Sequence, residues 1–204
     1  MEWIQIDQKM PYEALWEAVN SSSGMVKSGV SLIDQSCAVT KLSLARDPHT
    51  RGMFVMIFSM SRTIADGYTY YQIFNMLSAK SIIRSLSTTR KADFSIKAVP
   101  AIGEEQHAFQ FSCGFICNAL KNLVYDSPTH VMAYKVDTTR LRERKESEAG
   151  MDGRNYASTN DILTSDFANA VGATICILAV NLRGRLEGIG DNDAGNYEGP
   201  YYLS

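Results

Sequence analysis

Three segments follow one another between Met53 and Leu77: an apolar run, a polar turn ending in Asp66-Gly67, and an amphipathic segment. The first, Met53 to Met60, is almost continuously apolar and rich in Met, Val, Ile and Phe, the pattern of a buried β-strand. After Gly67 the apolar residues recur at helical spacing. Ser61 to Gly67 is therefore predicted to be a loop leading from a buried strand into a helix, a setting in which binding and catalytic groups are common.

The surrounding chain alternates helical and strand patterns, which predicts an α/β fold. Apolar and polar residues alternate from Thr40 to Ala45, so we expect a strand that forms an antiparallel hairpin with Met53–Met60. The helix after Gly67 is expected to extend to about Leu86. Ser87 to Glu105, broken by a proline and a glycine, is expected to be an irregular surface crossover.

Patterns further along the chain predict additional elements. Phe109 to Leu123 fits a strand, a helix, or one passing into the other. His130 to Asp137 is predicted to be a strand, followed by a highly charged helix capped by Asp137 or Thr138. Ser158 starts a further helix through a capping-box pattern, and Ala173 to Val180 is predicted to be a second fully buried strand.

Charge and hydropathy argue against several kinds of partner. The chain of 204 residues has a formal net charge of -2, so no electrostatic attraction to nucleic acid or an anionic membrane is expected. No apolar run approaches the length of a transmembrane helix. The N-terminal MEWIQIDQK also lacks the pattern of a signal peptide.

The 4 cysteines lie in apolar stretches, at Cys37, Cys113, Cys117 and Cys176. We predict that they are buried free thiols and that the protein occupies a reducing compartment, cytoplasmic or other. Cys113 and Cys117 have a spacing that places them on one face of a helix, but a CxxxC without further Cys or His is a weak metal motif. The sequence therefore predicts no metal site and no cofactor.

Several segments resemble motifs of the acyl-CoA-dependent acyltransferase superfamily, which includes plant BAHD enzymes, trichothecene acetyltransferases and peptide-synthetase condensation domains. The loop RTIADG, Arg62 to Gly67, resembles the HxxxDG signature with arginine in place of histidine. Downstream segments resemble the strand–helix pair before the crossover, the STND helix, the NxRxR strand end and the GN segment. They are HVMAYKVDTTRLRERK, STNDILTSDFANAV, VNLRGRL and AGNYEGP, in the order of the family.

This resemblance implies a chloramphenicol-acetyltransferase-like fold, a mixed sheet with flanking helices, in a partial two-lobe architecture. Residues 1–150 would be the remnant of the first lobe with the crossover, and residues 151–204 the start of the second lobe. Family members have a longer lead-in before the loop and a later DFGWG-type motif, which this sequence lacks. The chain is thus expected to correspond to the middle of an acyltransferase, as a naturally shortened relative or a fragment.

In the family, the histidine of the loop removes a proton from the acceptor hydroxyl or amine, which requires a free lone pair. Arg62 cannot do this, because a guanidinium stays protonated and has no acceptor atom. Ser61 has no base of its own. Of the 3 histidines, His49 is nearest, yet the predicted strand separates it from the loop by about 25 Å at roughly 3.3 Å per residue. No catalytic residue is therefore assigned.

The resemblance gives the neighbouring residues structural roles. We predict that Asp66 forms a buried bidentate ion pair with Arg183, the arginine of the NxRxR segment, next to Asn181. Gly67 is expected to permit tight strand-to-helix packing or a positive φ. Arg62 either pairs with a nearby carboxylate or carbonyl, or binds a phosphate or carboxylate ligand. The candidate ligand-binding residues are Arg62, Ser61, Ser158 and Asn160.

Two functions from different classes follow from these expectations. The first is a non-catalytic acyltransferase-like protein that acts as a binding or structural subunit with a protein partner or a second copy of itself. The second is an active O- or N-acyltransferase completed by another chain or by further sequence, with its base supplied from elsewhere. In a third interpretation the protein sequesters acyl-CoA or a small hydrophobic molecule without reacting it.

Overall fold

The structure, a computed structural model, describes residues 10–27, 29–32, 34–47, 50–124, 133–148 and 156–203. The chain folds into two compact units, one of Met1–Met132 with Ala179–Pro200 and one of Ala133–Leu178 with Tyr201–Ser204. The expected division into acyltransferase lobes at residue 150 stays a prediction.

The described residues form seven α-helices, one 3-10 helix and two two-stranded sheets, a mixed α/β composition as predicted. Strand β1 pairs with β2, and β3 pairs with β4. The elements are α1 Tyr12–Asn20, a 3-10 helix Gly29–Leu32, β1 Thr40–Arg46, β2 Phe54–Met60, α2 Gly67–Met76, α3 Phe94–Ile102, α4 Glu104–Phe109, α5 Cys113–Val124, α6 Thr138–Glu148, α7 Thr159–Val171, β3 Cys176–Asn181 and β4 Glu198–Leu203.

The predicted hairpin of β1 and β2 is confirmed. The strands are antiparallel, with Thr40 opposite Met60 and Arg46 opposite Phe54. On one face of this hairpin Ala45 and Ile57 are buried, and apolar side chains from α1 and the segment after it pack against them: Leu15, Val19 and Met25. Facing residues of an antiparallel pair point to the same side, so alternation along β1 and β2 produces one face of this small core.

The other face of the hairpin is covered only near its end, which corrects the prediction that the Met53–Met60 strand is buried throughout. Phe58 packs against Tyr70 and Phe74 of α2, with ring centroids 5.1 and 6.3 Å apart. The first half of β2 is exposed, with Phe54 54% exposed. An apolar run cannot distinguish a strand covered on both faces from one that is covered over part of its length.

Helix α2 ends at Met76, ten residues before the predicted end. Side-chain and backbone groups of the following serines satisfy the freed carbonyl of Asn75, since the Ser78 amide and the Ser81 hydroxyl both donate to it. Such side-chain bonds to the backbone compete with continuation of a helix. Ile82 and Ile83, which suggested a longer apolar stripe, are exposed.

Three further expectations are wrong. The segment Ser87–Glu105 contains α3, with Pro100 inside it, and Gly103 ends the helix at a φ of 103°. Strand β3 begins at Cys176 and is alternately half-exposed, with Ile177 56% exposed. Residues 133–137 of the predicted strand have no regular structure, and residues 130–132 lie outside the described residues. A proline near the end of a helix and a glycine just after it do not prevent the helix, and the local apolar pattern of β3 did not specify whether a neighbouring element would cover it.

The open prediction for Phe109–Leu123 resolves as helix, with α4 ending at Phe109 and α5 beginning at Cys113. The charged helix is also confirmed as α6, because the Asp137 carboxylate accepts from the amides of Thr139 and Arg140. Among the described residues, every helix is too short or too polar to cross a bilayer.

The cysteines correct another prediction. Cys37, Cys113 and Cys117 are exposed and Cys176 is half-buried, although all four were expected to be buried. Cys113 and Cys117 lie one turn apart on α5, as their spacing predicted. The apolar residues around them suggested burial, but α5 leaves much of its apolar surface exposed: Ile116 and Leu120 are 44% and 54% exposed.

Candidate functional site

The predicted ion pair between Asp66 and Arg183 is confirmed, and it organises the site. The Arg183 Nη1 donates to Asp66 Oδ2 at 2.8 Å, and Nη2 donates to Oδ1 at 3.2 Å. The side chains of Arg183 and Asp66 are 0% and 1% exposed, so both charges are removed from water. A two-pronged guanidinium–carboxylate contact of this kind fixes the distance and the relative orientation of both residues.

Further donors complete the coordination of the Asp66 carboxylate. As the N-cap of α2 it accepts from the Thr69 amide at 2.9 Å, and it also accepts from the Tyr197 amide at 2.8 Å. Burial alone raises the pKa of Asp66, but the hydrogen bonds from Arg183, Thr69 and Tyr197 outweigh it and hold the pKa below its usual value. Asp66 is therefore ionised in the folded protein at neutral pH.

The Arg183 guanidinium is saturated by partners beyond Asp66. It donates to the Asn181 side-chain oxygen at 3.0 Å, to the Asp193 carbonyl at 2.8 Å, and to the Gly195 carbonyl at 3.0 Å. The rings of Tyr68 and Tyr197 lie over it, with centroids 4.6 and 5.1 Å from Cζ. Stacking of this kind adds attraction beyond that of the hydrogen bonds.

Asn181 has the structural role that the sequence predicted, because its side-chain oxygen also accepts from the Arg183 amide at 3.2 Å. Sequence reasoning missed Thr69 and Gly195. The Thr69 hydroxyl accepts from Arg183 at 3.0 Å and bonds to the Gly195 backbone at 3.2 Å. Thr69 lies two residues after the Asp-Gly pair, and Gly195 lies in the GN segment. Both residues are therefore close to motifs that the sequence analysis identified, but the motifs did not predict their contacts with Arg183.

The hydrogen bonds of the Asp66–Arg183 cluster give it a structural role. Within the described residues no buried side-chain nitrogen or oxygen lacks a hydrogen-bond partner. The hydrogen bonds of the Asp66–Arg183 pair join the loop at 61–67 to the segment at 193–198. A group that must accept a proton during a reaction needs an uncommitted lone pair, and the pair offers none.

The expectation for Gly67 is wrong. Its φ is not positive, and a Cβ added there would meet no atom within 4 Å. Gly67 is the first residue of α2, and residues other than glycine readily adopt the helical backbone conformation at this position. Neither backbone strain nor close approach requires glycine at this position.

We therefore expect Gly67→Ala to leave stability unchanged or to raise the free energy of unfolding by up to about 1 kcal/mol, because alanine restricts the unfolded chain more than glycine does. Urea denaturation followed by circular dichroism measures the change. The matched substitution Gly172→Ala, at a left-handed φ of 63°, should instead destabilise the protein. A loss above about 1 kcal/mol at position 67 would restore a special role for this glycine.

Arg62 pairs with a carboxylate, one of the two arrangements predicted for it. Its Nη2 donates to Glu198 Oε1, and its backbone carbonyl accepts from the Asn196 side-chain amide at 3.0 Å. The side chain is 65% exposed. Ser61 is buried, and its hydroxyl is bonded to that of Thr63 at 2.8 Å. Arg62 and Ser61 are thus adjacent, but only the arginine reaches solvent.

Ser158 and Asn160 belong to the other compact unit. The Ser158 side chain accepts from the Asp161 amide at 3.1 Å, and Asp161 accepts in return from the Ser158 amide at 3.0 Å. The predicted capping box is confirmed, and it accounts for Ser158 as a helix cap. Asn160 is exposed within the first turn of α7. A ligand-binding role for these two residues stays a prediction.

Of the three histidines, only His107 lies within the described residues. His107 lies in α4 with its ring against Phe111 at 5.4 Å, and His49 and His130 lie outside the described residues. The carboxylate that contacts Arg62 is Glu198. No group of three or more His, Cys, Asp or Glu side chains is placed to hold a metal ion within the described parts of the chain.

Comparison of the chain with protein-family models, with characterised proteins and with solved structures finds no match. The resemblance to acyltransferases therefore depends on the RTIADG loop and the four downstream segments alone.

Proposed function

We propose that this protein is an acyltransferase-like chain that does not catalyse acyl transfer and that works as a binding or structural subunit of a larger assembly. The observation that carries the proposal is the state of residue 62. A protonated side chain occupies the position of the family's base, and its guanidinium is engaged by Glu198. Loss of a positioned general base costs about 10²–10⁴-fold in rate.

The retained structural residues support the acyltransferase-like part of this proposal. Asp66 of the degenerate HxxxDG loop and Arg183 of the NxRxR segment are 117 residues apart in sequence and form a bidentate pair. That contact is the one the resemblance implies. The chloramphenicol-acetyltransferase-like fold remains part of the proposal, because one ion pair at an equivalent position does not establish the arrangement of the whole sheet.

The uncovered face of the β1–β2 hairpin supports a binding role. Leu44 faces Met56 across the two strands, and both are exposed, as are the flanking side chains Leu42 and Phe54. Large patches of adjacent exposed apolar side chains are rare on monomeric proteins, and they usually mark sites of interaction with a partner. The proposal therefore includes a stable protein partner or a second copy, and no nucleic acid.

One observation favours the alternative, an active acyltransferase. Glu198 is a carboxylate beside residue 62, and a carboxylate can act as a general base. Its Oε1 holds the Arg62 guanidinium, so in this case the acceptor proton would have to be taken by Oε2. Acyl-CoA would be the substrate in this case, or a ligand if the protein only sequesters it.

Incubation of the purified full chain with acetyl-CoA and a longer acyl-CoA, with alcohols and amines as acceptors, distinguishes the two functions. We expect no release of free CoA above the buffer rate, because Arg62 occupies the position of the family's base and cannot accept a proton. Chromatography should quantify CoA, since the exposed cysteines would react with a thiol reagent. The variants are Glu198→Gln, Arg62→His and, as an exposed arginine paired elsewhere with Glu148, Arg144→His.

Turnover by the wild type that falls at least about 10²-fold in Glu198→Gln would establish the alternative. Any turnover by the wild type would contradict the non-catalytic proposal. Turnover by Arg62→His and not by Arg144→His would show that the missing base alone suppresses activity. Sedimentation and the binding of a hydrophobic dye together test the binding role. A chain that sediments as a monodisperse monomer and binds no dye would contradict that role.

A further inference from the structure

Cys113 and Cys117 present two thiols on the same face of α5. Helical residues four apart are neighbours on the helix surface. Both side chains are exposed, which is unusual because free cysteine is among the most buried residue types. Buried thiols would be inaccessible to metal ions. Because both thiols are exposed, burial does not rule out a metal site at this CxxxC. Two accessible thiols one helical turn apart are near enough in the backbone to share one metal ion.

An internal disulfide does not fit this spacing. Helical residues at i and i+4 have Cβ atoms about 5–6 Å apart, whereas a disulfide requires about 3.5–4.5 Å. The helix backbone would have to distort to close the bond. A single metal ion between the two sulfurs suits the wider separation, because metal–thiolate bonds of about 2.3 Å on each side span more than one S–S bond.

The ligand count selects the kind of ion. Among the described residues no third His, Cys, Asp or Glu side chain joins the two thiols in a metal-binding group. Structural zinc takes four protein ligands, so Zn²⁺ would be left half-coordinated. Monovalent copper is soft, prefers thiolate sulfur, and is satisfied by two ligands in a line.

We propose that Cys113 and Cys117 bind one Cu(I) ion per chain through their two sulfur atoms. Binding deprotonates both thiols and releases two protons, forms two Cu–S bonds, and leaves a bis-thiolate complex with one negative charge. No electron is transferred, since copper enters and remains in the monovalent state. This inference is independent of whether the protein has acyltransferase activity.

Titration of the reduced full chain with Cu(I) under anaerobic conditions, against a coloured Cu(I) chelator in excess, tests the site. We expect the wild type to hold one equivalent against the chelator, and Cys113→Ser and Cys117→Ser each to weaken binding at least tenfold. Cys37→Ser is the matched control, because Cys37 is also exposed but lies outside α5, away from the paired thiols in sequence. Circular dichroism confirms that each variant retains its helices.

Several results would overturn the proposal. If either single variant at position 113 or 117 holds Cu(I) as tightly as the wild type, the ion is bound adventitiously by separate thiols. If size-exclusion chromatography shows that copper doubles the apparent mass, or if Cys37→Ser loses the same equivalent, the sulfurs come from elsewhere. Equally tight retention of one Zn²⁺ ion in a parallel competition against a coloured zinc chelator would contradict the assignment to a two-coordinate ion.

Discussion

Asp66→Asn is expected to lower the free energy of unfolding by about 3–5 kcal/mol, because it leaves the buried Arg183 guanidinium without its counter-charge. The side-chain amide of Asp66→Asn also places an N–H group against the Arg183 guanidinium, which can only donate hydrogen bonds. Since domains of this size are stable by only about 5–15 kcal/mol, the variant should unfold at much lower urea concentration. Circular dichroism during urea denaturation measures the shift.

The complementary change Arg183→Met tests the same contact from the other side. We expect a loss of similar size, because Asp66 would then be buried without its cation and the Gly195 and Asp193 carbonyls would lose a donor. The double variant Asp66→Asn with Arg183→Met should lose less than the sum of the two single changes, since the second substitution removes the unpaired charge.

The Arg62–Glu198 pair provides the control for this cycle. Arg62→Ala breaks an ion pair between the same kinds of residue, but its guanidinium side chain is 65% exposed. Exposed pairs contribute about 0–1 kcal/mol, so stability should hardly change. An effect of Asp66→Asn as small as that of Arg62→Ala would contradict the central role assigned to the buried pair.

Gly195→Ala is expected to cost at least about 2 kcal/mol, from overpacking and a strained backbone together. A Cβ at this position would lie 2.7 Å from Arg90 Nη1 and 2.9 Å from Tyr197 Cε2, and the φ of 154° is one that residues other than glycine rarely adopt. The Arg90 side chain can move aside. Tyr197 cannot do so easily, because it is 2% exposed and its ring lies over Arg183.

Gly190→Ala is the matched control for this prediction. It lies five residues earlier in the same connection between β3 and β4, and an added Cβ there meets nothing within 4 Å. We expect a change within about 0.5 kcal/mol. If thermal denaturation shows equal effects for the two substitutions, the close approach at Gly195 does not constrain the site.

Local patterns predicted the elements that depend on local interactions. The alternation in β1, the turn before β2 and the helical spacing after Gly67 yielded the hairpin and α2. The spacing of Ser158 and Asp161 yielded the capping box of α7. The resemblance to a family added the Asp66–Arg183 contact, which no local pattern specifies.

Predictions that required knowledge of covering elements failed. The first half of β2 and the thiols of Cys113 and Cys117 are exposed, although the sequence around each of them is apolar. Burial depends on what packs over a residue, and that is decided by distant parts of the chain. An apolar residue beside an uncovered surface has the same sequence pattern as one in a core.

The sequence by itself determined where α2 begins, how β1 pairs with β2, and that residue 62 cannot accept a proton, since caps, alternation and side-chain chemistry are local properties. Only the tertiary structure decided which carboxylate Arg62 contacts, because Glu198 lies 136 residues further along the chain. It also decided that the Gly195 carbonyl is one of the acceptors that surround the Arg183 guanidinium. Such contacts form when folding brings distant segments together, and a buried polar group then takes whichever partner lies within reach.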